Sequence, residues 1–336
     1  MGIASSKTTE NEITIVKSYY PSLVQRYGRQ IWGSDWPSAD TVLETINSTY
    51  AVSGDGKSAS QYYVSEKYYI KTLTSSDYKT LILPSKKTQT SLLQRYFEYT
   101  SKVSGVSLLP RIYGVYKLSN GQRVMVMQNL QSNKSAEFKA YDLKGSVAKR
   151  RVDDEDSGTT LKDNNFRGKR VLFTQTDDYV KFLKTIQSDV AFLSKEGLMD
   201  YSLYSGIDTT KADASCIEIK MLTNPLDDQD FDDVPTLYMR IGIIDILQLF
   251  DTRKKIEALY KGGLKQHAET SAVPPAEYSR RFLAFMTQHF VSKWDLFFSP
   301  NFCDYGKSAC IATPSCDWDK QGESCSMMMM MPETKD

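Results

Sequence analysis

The chain has 336 residues, and its 42 Lys plus Arg balance 41 Asp plus Glu, so no global basic field points to nucleic acid. That length allows two lobes with sizeable cores. No run reaches the roughly 18 apolar residues of a membrane span. No signal peptide is read at its start, and the five cysteines, four of them after residue 300, form no secreted disulfide pattern. The expectation is a cytosolic protein in which any anion site is a local patch.

The first residues, MGIASSK, fit a myristoylation signal with Gly2 as acceptor, Ser6 at the required position and Lys7 behind it. The same stretch also reads as a plain tail. One acyl chain binds membranes at only about 10⁴ M⁻¹, so stable anchoring needs a second, basic contact. From Tyr20 to Ile31 the apolar residues Tyr20, Leu23, Val24, Tyr27 and Ile31 recur at helical spacing, with Pro21 suited to a first turn. A polar segment, SGDGKSAS (53–60), then leads into QYYVSEKYYIKTL, two aromatic-rich strands about a Ser65-Glu66 turn. A Gly/Ser loop between strands can be a flexible hairpin or a cover for phosphates through its N–H groups, with Ser58 and Ser60 as contacts. Lys71 on the following strand favours the second reading, because a lysine there holds nucleotide phosphates.

A helix is expected over about Thr90–Ser101, then a hairpin of RIYGVYKL and RVMVMQNL about Asn120-Gly121. Met127-Gln128-Asn129-Leu130 would be the hinge to a second lobe, placing Met127 and Asn129 against a nucleotide. YDLKGSVAKRR (141–151) ends in three cations; read alone, Lys149, Arg150 and Arg151 are a solvated strand edge. Tyr179, Phe182, Leu183, Ile186, Val190 and Leu193 form a helical stripe that stops at Gly197, a suitable C′ residue. This helix presents the loop holding Asp200. The stretch Asp208–Val234, with Asp227, Asp228, Asp230, Asp232 and Asp233, lacks the glycine and glutamate of a calcium loop and reads as a solvated surface loop.

Arg240–Lys261 is the most informative stretch. RIGII reads as a strand buried on both faces, interrupted by Asp245. Asp245 is either a half-exposed cap at a strand end or a metal ligand, since a bound cation repays a buried carboxylate. Arg253, Lys254 and Lys255 follow, suited to an anionic substrate. Ile256, Leu259, Tyr260 and Leu264, interleaved with Lys261 and Lys265, make either a basic membrane-facing surface or a half-buried helix. Cys303, Cys310, Cys316 and Cys325 are too irregularly spaced for zinc, and the tail with its SMMMMMP run reads as disordered.

YDLKGS, TLKDNNF (160–166), MDYSL (199–203) and IGIIDIL (241–247) occur in that order. Together they resemble the phosphatidylinositol phosphate kinase family, and the likeness runs from about Tyr20 to Phe290, through SAVPPAEYSRRF. The resemblance implies an α+β, two-lobed lipid kinase fold, with a small antiparallel-sheet N-lobe bearing helices and a larger mixed C-lobe. The corresponding division is an N-terminal myristoylation segment 1–12, N-lobe 13–130, C-lobe 131–298 with a specificity loop at 250–275, and a tail 299–336. It implies ATP and Mg²⁺, with Asp200 as the carboxylate acting on the attacking inositol hydroxyl and Asp245 as the magnesium ligand. Lys71 would be the nucleotide-phosphate lysine and Lys144 a second active-site cation. Arg253, Lys254, Lys255, Glu257 and Lys261 would meet the phosphoinositide headgroup of a membrane lipid.

Three features depart from the family pattern. Ala59 stands where many members have glycine. The glutamate that should pair with Lys71 aligns with Thr88, or is supplied by Asp77 or Glu98. The amino-terminal sheet used for dimer contacts is not read, which leaves the oligomeric state open. The resemblance implies a phosphatidylinositol 4-phosphate 5-kinase peripheral on the inner face of a phosphoinositide-bearing membrane, such as the plasma membrane. A glutamate after the lysine pair, Glu257, marks the 5-kinase class, whereas DTRKK and YSRRF look more like the 5-phosphate 4-kinases. A lipid-binding pseudokinase is the alternative from another class.

Overall fold

The computed structural model describes residues 12–32, 36–49, 52–53, 60–85, 88–131, 134–148, 150–156, 158–211, 213–223, 233–250, 273–298, 316–318 and 325–327. The N-lobe is a six-stranded antiparallel sheet built from β1 (Ile15–Ser18), β2 (Val52–Ser53), β3 (Gln61–Val64), β4 (Tyr68–Thr72), β5 (Ile112–Leu118) and β6 (Arg123–Gln128), in the order β1-β5-β6-β4-β3-β2. Its helices are α1 (Pro21–Trp32), α2 (Ala39–Ser48), α3 (Ser75–Ile82) and α4 (Leu92–Lys102). The expected helix 20–31 is α1, the helix 90–101 is α4, and both hairpins form. In the second hairpin Gly121 takes φ +85° beyond Asn120, a conformation that glycine adopts without steric cost. β1, α2 and α3 are elements that the sequence reading did not assign.

Strand β4 shows how pattern places function. Its residues alternate, with Tyr68, Ile70 and Thr72 buried while Tyr69 and Lys71 are half-buried. Tyr68 and Ile70 pack with Val42 and Ile46 of α2 and with Tyr113, Val124 and Val126. Tyr69 and Lys71 therefore point to the opposite face of the sheet, towards the second lobe. α3 and α4 each begin with a capping box, Thr74 with Asp77 and Ser91 with Gln94.

The C-lobe sheet has seven strands: β7 (Lys139–Leu143), β8 (Leu161–Lys162), β9 (Arg170–Phe173), β10 (Ser202–Asp208), β11 (Ile217–Leu222), β12 (Thr236–Ile244) and β13 (Phe290–Val291). Their order is β13-β9-β11-β12-β10-β7-β8, mixed in direction, with β7–β8 and β9–β13 parallel. The helices are α5 (Asp163–Phe166), α6 (Thr176–Lys195), α7 (Pro275–His289) and α8 (Lys293–Phe298). The α6 stripe is the one read from the sequence, and Gly197 closes the helix at φ +76° while the Leu198 N–H returns to the Leu193 carbonyl at 3.0 Å.

Part of the expected 208–234 loop is instead β11, a strand inside the sheet. Its residues Ile-Glu-Ile-Lys-Met-Leu alternate with period two, and β11 pairs on both sides, with β9 and β12. The acidic run Asp227, Asp228, Asp230 and Asp232 lies outside the described residues. In the tail that the sequence suggests is disordered, β14 (Cys316–Trp318) and β15 (Cys325–Met327) pair antiparallel.

One apolar cluster runs through both lobes, from Leu93 and Phe97 of α4 to Ile186, Val190 and Leu193 of α6. Tyr99 stacks on Phe192 with ring centroids 4.4 Å apart. Polar contacts pin the same seam. Asp189 of α6 accepts from Tyr99 Oη (2.7 Å), Ser107 Oγ (2.9 Å) and Leu108 N (2.6 Å), and Arg95 Nε meets Glu196 at 2.7 Å. Among the described residues no helix is long and apolar enough to cross a membrane.

Candidate active site

Register brings the charged side chains together. Asp200 stands just before β10 and Asp245 just after β12. The two strands are antiparallel with Ser202 opposite Ile244, so both carboxylates emerge at one end of the sheet. Lys144 joins them because β7 lies on the other side of β10 with Leu143 opposite Leu203. Both aspartates take left-handed backbone, φ +62° at Asp200 and +59° at Asp245, where Asp is better tolerated than most residues.

The opposing lobe supplies Lys71. Its Nζ lies 2.9 Å from Asp245 Oδ1, spanning the cleft, while Lys144 Nζ lies 2.8 Å from both Asp200 Oδ1 and the Asp200 carbonyl oxygen. The cleft itself is lined by Tyr62, Tyr69, Met125, Met127, Leu130, Tyr204 and Ile244, with Lys71 and Asp245 as its charged members. Partial loss of water at the cleft wall opposes charge on Asp245, but attraction and a hydrogen bond from Lys71, with help from Lys144, hold its carboxyl below the usual value. Lys71 mirrors it: burial works against the ammonium, and Asp245 holds its pKa above the usual value. Asp245 lies one residue outside the strand and its side chain is 49% exposed, so it is not the buried interruption of a strand. It is a strand-end carboxylate that faces the cleft.

The partner of Lys71 also differs from expectation. Asp77 adds to the field at Lys71, but its carboxylate accepts from Thr74 N at 3.1 Å and caps α3. Glu98 is exposed, and Thr88 Oγ1 accepts from Arg95. Among the described residues Lys71 is ion-paired with Asp245, not with the helix. Met127 and Asn129 both line the cleft. The Asn129 side chain is, however, committed to the hinge, donating to the Ser65 carbonyl at 2.8 Å and accepting from Gln131 N at 2.8 Å. Ser60 is buried at the head of β3, outside the set of cleft-lining residues. Gly2, Ser58, Arg253, Lys254, Lys255, Glu257 and Lys261 lie outside the described residues.

The sequence reading missed the support beneath Lys144. Arg150 is not a solvated edge cation: its side chain is 12% exposed and bridges Asp142 Oδ1 (2.9 Å) and Asp163 Oδ2 (2.6 Å). Arg151 does fit that reading, with a 62% exposed side chain, and Lys149 is outside the described residues. The only signal for Arg150 was the acidic residue in TLKDNNF, 13 positions on.

An antiparallel N-lobe that aims a lysine across a cleft at carboxylates on C-lobe strand ends defines the two-lobed kinase class. The chain belongs to the phosphatidylinositol phosphate kinases: the family model described as Phosphatidylinositol-4-phosphate 5-Kinase matches residues 45–232 and 227–289. Phosphatidylinositol 5-phosphate 4-kinase type-2 alpha of Rattus norvegicus is 29% identical over 324 residues, covering 80% of this chain and 77% of the relative. Phosphatidylinositol 4-phosphate 5-kinase 3 of Arabidopsis thaliana is 30% identical over 330 residues, covering 82% of this chain and 45% of the relative. A probable phosphatidylinositol phosphate kinase of Dictyostelium discoideum is 28% identical, covering 81% and 47%. The relatives thus carry two reaction names at nearly the same identity.

Proposed function

We propose that the chain transfers the terminal phosphoryl group of ATP to the 5-hydroxyl of phosphatidylinositol 4-phosphate. The observation that carries phosphoryl transfer is the closeness of two ion pairs, Lys71–Asp245 in the cleft and Lys144–Asp200 on the neighbouring strand ends, near enough that Lys144 acts on the Asp245 charge. Such chemistry is chiefly positioning and charge stabilisation. Asp200 orients the inositol hydroxyl and takes its proton as oxygen bonds to phosphorus and the bond to ADP breaks. Lys144 holds Asp200 in place, and Lys71 neutralises nucleotide phosphate. Among the described residues no three His, Cys, Asp or Glu side chains gather as a metal cage. Mg²⁺ asks for less, one or two carboxylates plus phosphate oxygens, and Asp245 fits as that ligand. Magnesium, when bound, supplies charge neutralisation at the transferring phosphate.

The isomer choice rests on Glu257, placed after Lys254-Lys255 in the proposed recognition loop with Arg253 and Lys261. One carboxylate among those cations fixes where the substrate phosphate sits and so which hydroxyl meets Asp200. DTRKK and the name of the rat relative favour the second reading, a 5-phosphate 4-kinase. The proposed seat is the cytoplasmic face of a phosphoinositide-bearing membrane, held by acylated Gly2 and the basic segment through Lys265. Radiolabelled ATP with vesicles of each monophosphate isomer tests the assignment. Faster labelling of the 4-phosphate isomer, giving the 4,5-bisphosphate, supports it; faster labelling of the 5-phosphate isomer replaces it with the 4-kinase.

A further inference from the structure

TLKDNNF takes no part in the chemistry above, yet it folds onto the turn that carries Lys144. Asp163, the first residue of α5, is 1% exposed. Its Oδ1 accepts from three successive backbone N–H groups, Lys144 (2.9 Å), Gly145 (2.7 Å) and Ser146 (3.4 Å). Its Oδ2 accepts from Arg150 Nε at 2.6 Å, and Arg150 reaches on to Asp142 at the end of β7. Successive N–H groups around one oxygen form a nest that suits an anion, and the guanidinium balances the buried charge. The turn is gripped from the other side as well. Gly145 has φ +67°, and a Cβ there would fall 3.0 Å from the Arg281 carbonyl oxygen and 3.1 Å from Phe285 Cβ of α7. The Lys144 backbone is therefore held on both sides, and its ammonium ends 2.8 Å from Asp200 Oδ1.

We propose that Asp163 is a positioning residue for phosphoryl transfer: through the Lys144–Ser146 backbone it sets the Lys144 ammonium against Asp200, with Arg150 holding its second oxygen. This rests on the assignment of Lys144 and Asp200 to the transfer step. Asp163 touches neither substrate, so its effect must pass through Lys144, and that route separates positioning from general support of the fold.

The test is a double-mutant cycle on label transfer from ATP to phosphatidylinositol monophosphate vesicles, using the full chain. Asp163→Asn lowers kcat by about 10²-fold, as misplacement of a reacting group does, while KM for ATP stays within about twofold. In a Lys144→Met background the same substitution costs no further activity. An equal fall in both backgrounds, or no fall in the wild-type background, overturns the inference alone. Wild-type protein that transfers no label overturns the kinase reading and this inference with it. Where Asp163→Asn loses the cooperative melt, Arg150→Lys takes its place in the cycle. It should lower kcat by about 10-fold with Lys144 present and not at all with Lys144→Met.

Discussion

The two ion pairs of the site are built differently. On the C-lobe side, Lys144 and Asp200 sit on adjacent strand ends, and buried groups surround their backbone. Asp163 and Arg150 grip the Lys144 turn, and the Tyr278 hydroxyl donates to the carbonyl of Tyr201, beside Asp200. On the N-lobe side, Lys71 crosses open space to a half-exposed carboxylate 174 residues away in sequence. The contrast fits the division of labour proposed here. A hydroxyl must be held to a fraction of an ångström where it attacks, whereas nucleotide phosphates can be met by side chains that exchange partners.

Substitution should reveal this contrast, first in stability. Arg150→Ala leaves the buried Asp163 charge without its guanidinium, and the cost is about 3–5 kcal/mol in chemical denaturation. Lys71→Met breaks a pair whose carboxylate is half in solvent, and the melt should move by no more than about 1 kcal/mol. Similar losses for both variants would erase the distinction between the two pairs.

Activity should fall at both pairs alike. Asp245→Asn leaves the fold intact and lowers kcat/KM by about 10²-fold, roughly 2.7 kcal/mol of transition-state stabilisation. The Lys71–Asp245 pair also sets a pH expectation. The Asp245 carboxyl lies below its ordinary 3.8 and the Lys71 ammonium above its ordinary 10.5. The carboxylate's contribution is thus lost only as pH falls through that lowered value, and the lysine's only as pH rises past 10.5. Steady-state rates between pH 5 and 9 should show no inflection from this pair.

The seam between the lobes supplies a further effect of comparable size. Burial pushes the Asp189 carboxyl up to about 6, against the hydrogen bonds from Tyr99, Leu108, Ser107 and Leu109 that pull it down. The folded chain therefore binds this proton more tightly than the unfolded chain does. The resulting stabilisation is complete below about pH 4 and is lost as pH rises to about 6, on the order of 2–3 kcal/mol. Asp189→Asn should flatten that window in denaturation curves, while Asp245→Asn leaves it in place.

How much of this was legible in the sequence follows from the range of the interactions. Lys71 was readable because the Tyr-Tyr-Ile-Lys-Thr alternation and the hairpin are local, and Asp245 stood out against the isoleucines beside it. The α6 stripe and its Gly197 stop are local too. The partner of Lys71 was not readable, because it depends on how two lobes face each other rather than on spacing along one helix. Arg150 looked like one of three solvated cations, and nothing within its own segment distinguished it from Arg151. Its burial depends on β7 and β8 lying parallel, which brings Asp163 back beside Asp142. β11 was overlooked for another reason: its alternating Ile-Glu-Ile-Lys-Met-Leu was legible, but the acidic residues after it dominated the composition of the stretch.

The smallest effect concerns the proposed recognition loop rather than the machinery. Glu257→Ala should shift the ratio of labelling rates towards the 5-phosphate isomer by a few-fold, within the roughly 1–3 kcal/mol that one contact can discriminate. An unchanged ratio removes Glu257 from isomer choice.

The central claim, that the Lys144–Asp200 pair beside the cleft performs the transfer, is tested most directly by Asp200→Asn. This substitution keeps the shape of the side chain, and Asn accepts the same left-handed backbone. Label transfer from ATP to phosphatidylinositol 4-phosphate vesicles should fall by about 10²-fold or more, with nucleotide affinity and the melting curve unchanged. Turnover by a folded Asp200→Asn protein at the wild-type rate would contradict the account.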